Sequence, residues 1–271
     1  MSKIDEKALA EAYNHALALE KAGKREAAIA AWHEVLALDP DDHGGAIVRL
    51  ASLGAGNTPD RAPEAYVATL FDQHAEVFDK VLVEDLGYHV PLLLRQRLLD
   101  LELGPFDRVL DLGCGTGLTG GALEDMADDV IGVDLAESMI EIAVGKELYD
   151  TLYVADAIDY LEDNEDAPFD LIAATDVLPY LGSLEKLFAG AAANSATGGL
   201  FAFSSETLPD AEFAGQDYKV GGFQRFAHTP AYVTSQLDKS GFGLIETGDI
   251  IVRHEQGAPI FGHLYIARRL N

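Results

Sequence analysis

The chain is poor in cysteine and has no long apolar run. Cys114 is its one cysteine in 271 residues, which excludes an internal disulfide and a cysteine-rich zinc site. No uninterrupted apolar stretch approaches the roughly 18 residues of a membrane-spanning helix. Residues 1–6 are mostly polar and lack the apolar core of a signal peptide, so we expect a cytoplasmic protein without membrane contact.

Basic side chains are also scarce. Lysine and arginine number 19 against 46 acidic residues, a formal charge of −27. Such a surface repels phosphate backbones, so we expect no nucleic-acid partner. The acidity is spread along the whole chain, which favours solubility or a salty habitat as its cause; attraction of a cationic substrate or basic partner is the alternative. No cluster of acids and histidines suggests a metal site.

The first hundred residues are predicted to be helical. Apolar stripes occur over 8–21 and 25–38, with a third helix at about 42–53. A linker rich in glycine and proline follows at 54–59. Residues 62–103 are again mostly helical, interrupted at 87–91.

The pattern changes at residue 106. Five short apolar runs alternate with segments of crossover length, which favours a parallel, doubly wound α/β sheet; they are 109–112, 130–133, 152–154, 171–174 and 200–204. Two longer strand-like runs, 243–252 and 260–268, are separated by seven residues. No helix fits in that gap, so the sheet should end in an antiparallel hairpin.

The stretch 109–117 reads Val-Leu-Asp-Leu-Gly-Cys-Gly-Thr-Gly. A buried strand ends there in a glycine turn that opens a helix and lets a ligand approach the backbone. A dinucleotide fingerprint would place its third glycine at Leu118 and an apolar residue at Asp111. The turn therefore departs from the dehydrogenase pattern.

Acidic residues follow the next strands. Asp134 ends the second strand, where a carboxylate can accept both ribose hydroxyls of a nucleoside. Asp156 ends the third strand and can accept a hydrogen bond from an adenine amino group. Leu135 and Met139 could flank a flat base. The strand-end acids would meet in the crevice where open α/β sheets bind ligands.

The glycine turn, these acids and the terminal hairpin together resemble the class I methyltransferases, which bind S-adenosylmethionine. The resemblance implies that Asp111 and the backbone of the turn hold the methionyl part, with Asp134 on ribose and Asp156 on adenine. Thr175 and Asp176 would lie beside the methyl group. The implied cofactor site comprises Asp111, Gly113, Cys114, Gly115, Gly117, Asp134, Leu135, Met139, Asp156, Ala157 and Thr175.

The chain more closely resembles bacterial methyltransferases with an N-terminal tetratricopeptide repeat. Its marks are the stretches 65–67, 70–79, 86–88, 176–182, 225–232 and 253–257, with Gly23, Ala28, Trp32 and Pro40 in the helices. Ala16 and Leu19 depart from the repeat pattern. The resemblance implies a repeat-like segment at 1–58, a helical cap at 59–104 and a Rossmann-like methyltransferase domain at 105–271. The first helices should pack on the rest of the protein, on a second subunit or on a protein partner.

The acceptor pocket should lie between a helix around 66–78 and an insertion at 206–229. His228 is the leading candidate for a base or for a residue that orients the acceptor. A structural role in helix capping or lid packing is the equally favoured alternative. His74 is the second candidate, and Tyr180 could shape the wall. Tyr66, Asp176, Arg225 and His228 form the expected substrate set. We expect methyl transfer to O, N or S of a small soluble acceptor; the alternatives are a protein methyltransferase that docks a basic target and a non-catalytic S-adenosylmethionine-binding protein.

Overall fold

The computed structural model describes residues 5–165 and 167–270. Residues 1–4, on which part of the signal-peptide expectation rests, lie outside these ranges. Within them, no helix has both the length and the apolar character needed to cross a bilayer.

The helices and strands occupy most of the described chain. The helices are α1 (Glu6–Lys21), α2 (Arg25–Leu38), α3 (Ala46–Ser52), α4 (Glu64–Asp72), α5 (Val90–Asp100), α6 (Leu118–Leu123), α7 (Glu137–Lys146), α8 (Ala157–Asp163), α9 (Glu185–Asn194), α10 (Asp210–Phe213) and α11 (Pro230–Lys239). The strands are β1 (Phe106–Leu112), β2 (Ala127–Asp134), β3 (Thr151–Val154), β4 (Phe169–Ala174), β5 (Ser195–Glu206), β6 (Tyr218–Val220), β7 (Phe226–His228), β8 (Phe242–Glu255) and β9 (Ala258–Arg269). A π-helical turn at Lys80–Asp85 lies between α4 and α5.

The predicted parallel sheet with a terminal hairpin is confirmed. Its strands run β3-β2-β1-β4-β5 in parallel, and β9 joins β5 antiparallel with β8 outside it. The β6–β7 ribbon meets the end of β5, where Glu206 pairs with Ala227. The hairpin turn is shorter than predicted, because only Gln256 and Gly257 separate its strands and both have positive φ. That conformation suits a two-residue hairpin turn.

The sheet is buried on both faces, as alternate side chains of β4 show. Ile172 and Ala174 join the core beneath α8, α9 and α11. Leu171 and Ala173 join the opposite core, where Leu94 and Leu98 of α5 pack. Burial on both faces explains why the sequence shows continuous apolar runs instead of strict alternation.

The first three helices form a small core of their own around Trp32, whose indole nitrogen donates to Glu20 at 2.7 Å. They also pack on the rest of the chain, one of the arrangements expected from the sequence. Val48 and Ala51 of α3 share a cluster with Val220 and Phe226 of the β6–β7 ribbon. The helical segment thus lies against the same ribbon that backs the cover of the site.

Candidate active site

A cavity opens at the carboxyl ends of β1 to β4, under a cover formed by α4 and the turns that follow it. Backbone and side chains from four strand ends line its floor. The cover contributes mainly apolar groups. The lining comprises Arg61, Ala62, Val67, Phe71, Phe78, Leu82, Tyr88, Gly113, Cys114, Gly115, Thr116, Leu118, Thr119, Val133, Asp134, Leu135, Ala155, Asp156, Ala157, Ile158, Thr175, Asp176, Val177, Tyr180 and Leu181.

The glycine turn after β1 adopts a left-handed backbone at Gly113, Gly115 and Gly117, with φ of 64°, 53° and 96°. A Cβ on Gly113 would lie 2.5 Å from Cγ2 of Val177, so the turn and the exit of β4 touch only because that atom is missing. Gly117 is the N-cap of α6. Gly113, Cys114 and Gly115 therefore line the cavity, whereas Gly117, also expected in the cofactor site, lies outside the lining.

Asp134 leaves β2 with its carboxylate at the cavity. One carboxylate oxygen accepts the Gly115 amide and the other accepts the Ala136 amide, each at 2.8 Å. Burial raises the pKa of Asp134, and these two amides oppose that rise. Each oxygen has a second lone pair, so the carboxylate can also accept two vicinal hydroxyl groups.

Asp111 lies behind the turn and is outside the cavity lining. Its carboxylate accepts the Tyr149 hydroxyl at 2.7 Å. The side chain is 1% exposed, and this burial raises the pKa of Asp111 to about 7. Asp111 therefore does not reach the cavity, where a direct contact with a ligand was expected. Its carboxylate is bonded instead to a tyrosine that the sequence analysis did not single out.

The Asp156 carboxylate forms hydrogen bonds with two separate parts of the chain. One oxygen caps α8 by accepting the amides of Ile158 and Asp159 at 2.9 and 3.2 Å. The other oxygen is bonded to the Arg61 guanidinium. Arg61 was missed by the sequence analysis, since a lone arginine in a linker gives no signal of the residue it will meet 95 positions later.

Leu135 and Met139 were both expected to flank a base, and the structure separates them. Leu135 lies in the lining, whereas Met139 is fully buried among Phe71, Ala75 and Phe78. The helix turn points Met139 into the contact between α7 and the cover. Met139 therefore supports the cavity without lining it.

Aromatic side chains form one wall of the cavity. Phe71 packs edge-on against Phe78 and Tyr180, with ring centroids 5.8 and 5.3 Å apart. Tyr88 and Asp176 are also part of the lining. Thr175 lines the cavity as well, and its hydroxyl oxygen lies 3.0 Å from that of Thr119. The structure thus brings Thr175, Asp176 and Tyr180 to the same cavity.

A buried ion cluster lies behind Asp176. Arg253 of β8 is 1% exposed; its Nη1 lies 3.3 Å from the Asp176 carboxylate and its Nε 3.0 Å from Glu255. It also pairs with Glu206. Burial raises the pKa of Asp176, and the Arg253 guanidinium opposes that rise. Asp176 therefore faces the cavity with its side chain held in place by a buried arginine.

His228 does not belong to this site, which corrects the leading assignment from the sequence. It is fully buried in β7, outside the lining, with Nε2 3.1 Å from the Gly182 carbonyl oxygen. Burial lowers the pKa of His228 to about 4. An imidazole without access to the cavity cannot take a proton from an acceptor, so the packing alternative describes its position.

Three further candidates also lie away from the lining. The His74 ring is exposed, and its Nδ1 lies 2.7 Å from the Leu70 carbonyl oxygen of α4, which ends two residues before His74. Tyr66 packs against Gly45 of the N-terminal segment. Arg225 pairs with Glu255, which corresponds to the salt-bridge alternative. The insertion at 206–229 contributes no described residue to the lining; it backs the cover through Val220 and Phe226.

Among the described residues, no group of three or more His, Cys, Asp or Glu side chains is placed to hold a metal ion. The cavity's polar groups are instead carboxylates, hydroxyls, one guanidinium and backbone amides. This set suits a neutral or cationic organic ligand with hydroxyl and amino groups.

Comparison with known proteins gives a family for this architecture. A family model described as a methyltransferase domain matches residues 84–245. A 104-residue stretch is 31% identical to the ubiquinone biosynthesis O-methyltransferase of Idiomarina loihiensis, covering 36% of this chain and 42% of that protein. A 67-residue stretch is 39% identical to the 18S rRNA (guanine-N(7))-methyltransferase of Arabidopsis thaliana, 23% of each chain. The chain thus spans less than half the length of these curated relatives.

A solved structure agrees with the fold. The N-methyltransferase NodS of Bradyrhizobium japonicum, crystallised with S-adenosyl-L-homocysteine, aligns with a TM-score of 0.57 and 18% identity, over 76% of this chain and 99% of that one. The family model begins at residue 84, so the tetratricopeptide resemblance of the first helices stays a prediction. Because that model covers more than half of the 271 residues, the chain belongs to the methyltransferase domain family, with the class I fold that uses S-adenosylmethionine.

Proposed function

We propose that this chain transfers a methyl group from S-adenosylmethionine to a small organic acceptor. The observation that carries the proposal is one continuous cavity. Its lining includes the glycine turn, Asp134 and Asp156 together with Asp176 and Tyr180. A donor with a methionyl part, a ribose and a base would lie along the turn, Asp134 and Asp156, with its methyl group towards Asp176 and Tyr180.

The residues present fit the donor. Asp134 keeps lone pairs free for two ribose hydroxyls while the Gly115 and Ala136 amides fix its orientation. The φ of 64° at Gly113 and the missing Cβ let the turn pass close to Val177, and the backbone of Gly113 and Gly115 lines the cavity. The cofactor supplies an electrophilic methyl group on a sulfonium, which reacts by in-line displacement.

The chain's own contribution is alignment and the exclusion of water. Phe71, Phe78 and Leu82 cover the site with apolar surface, and a dry, snug site favours a reaction in which positive charge on sulfur is lost. Asp176 is fixed by Arg253 and can accept a hydrogen bond from an acceptor's N–H or O–H. We propose that this carboxylate, not His228, orients the acceptor.

A small acceptor is favoured by the cover. α4, the π-helical turn and α5 precede the sheet in sequence, and residues from 61 to 88 lie over the cavity. The ubiquinone biosynthesis relative, whose name denotes a small-molecule acceptor, supports the same class. Docking of a basic protein target by the first helices remains the alternative proposal.

Binding to Asp134→Ala tests the donor assignment. We expect this variant to bind S-adenosylmethionine and S-adenosylhomocysteine about 10-fold or more weakly by calorimetry, since hydrogen bonds to a charged group are lost. Asp129→Ala is the matched control, because Asp129 lies at the other end of β2 and pairs with Arg108. Unchanged affinity in Asp134→Ala would refute the ribose assignment.

Turnover separates an enzyme from a binding protein. The chain is incubated with S-adenosylmethionine and pools of small alcohols, phenols, amines and thiols, and release of S-adenosylhomocysteine is measured. Acceptor-dependent release supports the proposal. Tight binding without release from any pool would favour the non-catalytic alternative.

A further inference from the structure

Residues 60–63 extend the linker to the start of α4 and place Arg61 in the cavity lining. Backbone hydrogen bonds fix these residues: the Ala62 amide donates to the Tyr180 carbonyl at 2.8 Å, and the Gly182 and Ser183 amides donate to the Asp60 carbonyl at 2.8 Å each. The Tyr218 hydroxyl also bonds the Asp60 carboxylate at 2.7 Å. Arg61 therefore extends from a backbone anchored to the segment that lines the cavity.

The Arg61 guanidinium lies in the lining beside Asp156. One terminal nitrogen pairs with Asp156, and the other lies 3.2 Å from Glu64 on the outer side. The remaining nitrogen, Nε, is buried without a hydrogen-bond partner among the described residues. A buried N–H without a partner is costly, so it calls for an acceptor that the chain itself does not supply.

Adenine offers a matching edge. Its amino group donates, and ring nitrogens that accept lie on either side of that amino group, N1 on one side and N7 on the other. The Arg61–Asp156 pair presents the complement, a carboxylate oxygen that accepts next to a guanidinium that donates. The carboxylate oxygen bonded to Arg61 keeps a second lone pair for the amino group.

We propose that Arg61 is a base-binding residue of the donor site, with its Nε–H donating to the adenine ring nitrogen next to the amino group held by Asp156. This inference rests on the proposed function, since it needs S-adenosylmethionine in the cavity. It assigns a donor contact to the linker segment, outside the sheet whose strand ends carry the other donor contacts.

The test uses S-adenosylhomocysteine and its 1-deaza and 7-deaza adenine analogues, each titrated into the full chain by calorimetry. In the unaltered protein, one of the two analogues should bind about 10-fold more weakly than S-adenosylhomocysteine, as expected for loss of an acceptor from a charged donor. Arg61→Met should bind S-adenosylhomocysteine about 10-fold more weakly than the unaltered protein does. It should bind S-adenosylhomocysteine and the analogue that the unaltered protein disfavours with equal affinity.

Glu64→Gln is the matched control, because it removes the negative charge of the outer partner of Arg61 and leaves the cavity side intact. It should retain the discrimination of the unaltered protein. Thermal unfolding checks that Arg61→Met is folded. If it is not, Arg61→Lys keeps the charge, lacks Nε and should lose the discrimination as well.

Two results would overturn the inference. One is equal affinity of the unaltered protein for both deaza analogues and S-adenosylhomocysteine. The other is discrimination that survives in Arg61→Met, which would mean that Arg61 only holds Asp156. Failure of the unaltered protein to bind S-adenosylhomocysteine at all would instead refute the proposed function, and this inference with it.

Discussion

Single side chains in this protein have roles that depend on burial more than on residue type. Asp111 and His228 are both buried, yet burial raises the pKa of the acid and lowers the pKa of the imidazole. In each case the neutral form is favoured, because a charge loses its hydration. Both shifts lead to measurable pH effects.

Asp111 should make stability depend on pH. Its pKa rises from 3.8 to about 7 in the folded chain, so the folded state holds a proton that the unfolded state has lost between these values. The free energy of unfolding contributed by Asp111 is therefore fully present below pH 3.8 and declines as pH rises towards 7. Asp111→Asn, which can still accept the Tyr149 hydroxyl, should show a shallower decline in urea unfolding measured from pH 4 to 8.

The comparison depends on the difference between two curves, because other buried groups titrate as well. Asp129→Asn, at a partly exposed site outside the cavity lining, should keep the slope of the unaltered protein. Parallel curves for Asp111→Asn and the unaltered chain would contradict the raised pKa.

His228→Ala should lower stability and spare turnover. The change removes the hydrogen bond to Gly182 and leaves a buried carbonyl without its donor, which costs about 1–3 kcal/mol. Turnover per folded molecule should stay within a few-fold, with the same pH–rate profile. Disappearance of one limb of that profile would restore His228 as a base.

At this scale the sequence predicts acids at strand ends and little about their partners. Asp134 and Asp156 were found because a strand end is a local pattern. Arg61 and Tyr149 were not, because their contacts join positions far apart in sequence. His228 was misplaced since its neighbours, Pro230 and Arg225, suggest a loop, whereas the structure places it on a short buried strand.

Contacts between elements of the fold also limit which residues can be substituted. The glycine turn is tightly bound to the exit of β4 through the contact of Gly113 with Val177. Gly113→Ala would force a Cβ to within 2.5 Å of a methyl carbon at φ 64°. We expect a loss of about 1–3 kcal/mol in the free energy of unfolding and weaker binding of S-adenosylmethionine.

Gly145→Ala is the control for that change. Gly145 lies inside α7, and a Cβ there meets nothing within 4 Å. Alanine should therefore stabilise the helix by up to about 1 kcal/mol. Equal destabilisation by the two substitutions, measured by chemical denaturation, would show that the turn is not specially constrained.

The element boundaries show where sequence patterns stop being informative. The central residues of β1 to β4 were predicted from apolar runs, but each strand extends beyond its run and includes polar residues. β5 likewise extends beyond its run, from Ser195 to Gly199. The π-helical turn at Lys80–Asp85 was not predicted, since its apolar residues fit an ordinary helix. Leu82 of this turn lines the cavity, a tertiary contact that helical periodicity does not predict.

The whole molecule carries a charge of −27, and this should oppose compactness. Raising the ionic strength from about 0.01 M to 0.1 M shortens the screening length from about 30 Å to 10 Å. Repulsion between distant carboxylates weakens accordingly. The melting temperature should therefore rise over this range.

Differential scanning calorimetry at neutral pH measures this effect. Sucrose at matched osmolality is the control, because it does not screen charge. A melting temperature that falls with added salt would mean that the surface ion pairs stabilise the fold by more than the net charge destabilises it.

The position of β9 has a consequence for biosynthesis. β5 finds its antiparallel neighbour only in residues 258–269, so most of the sheet leaves the ribosome before one side of β5 can be covered. Arg253, which neutralises Asp176 and Glu206, emerges equally late. Until then the nascent chain exposes the unpaired edge of β5 beside carboxylates that lack their arginine. We therefore expect the rate at which the β8–β9 hairpin docks to determine how strongly the chain aggregates during translation.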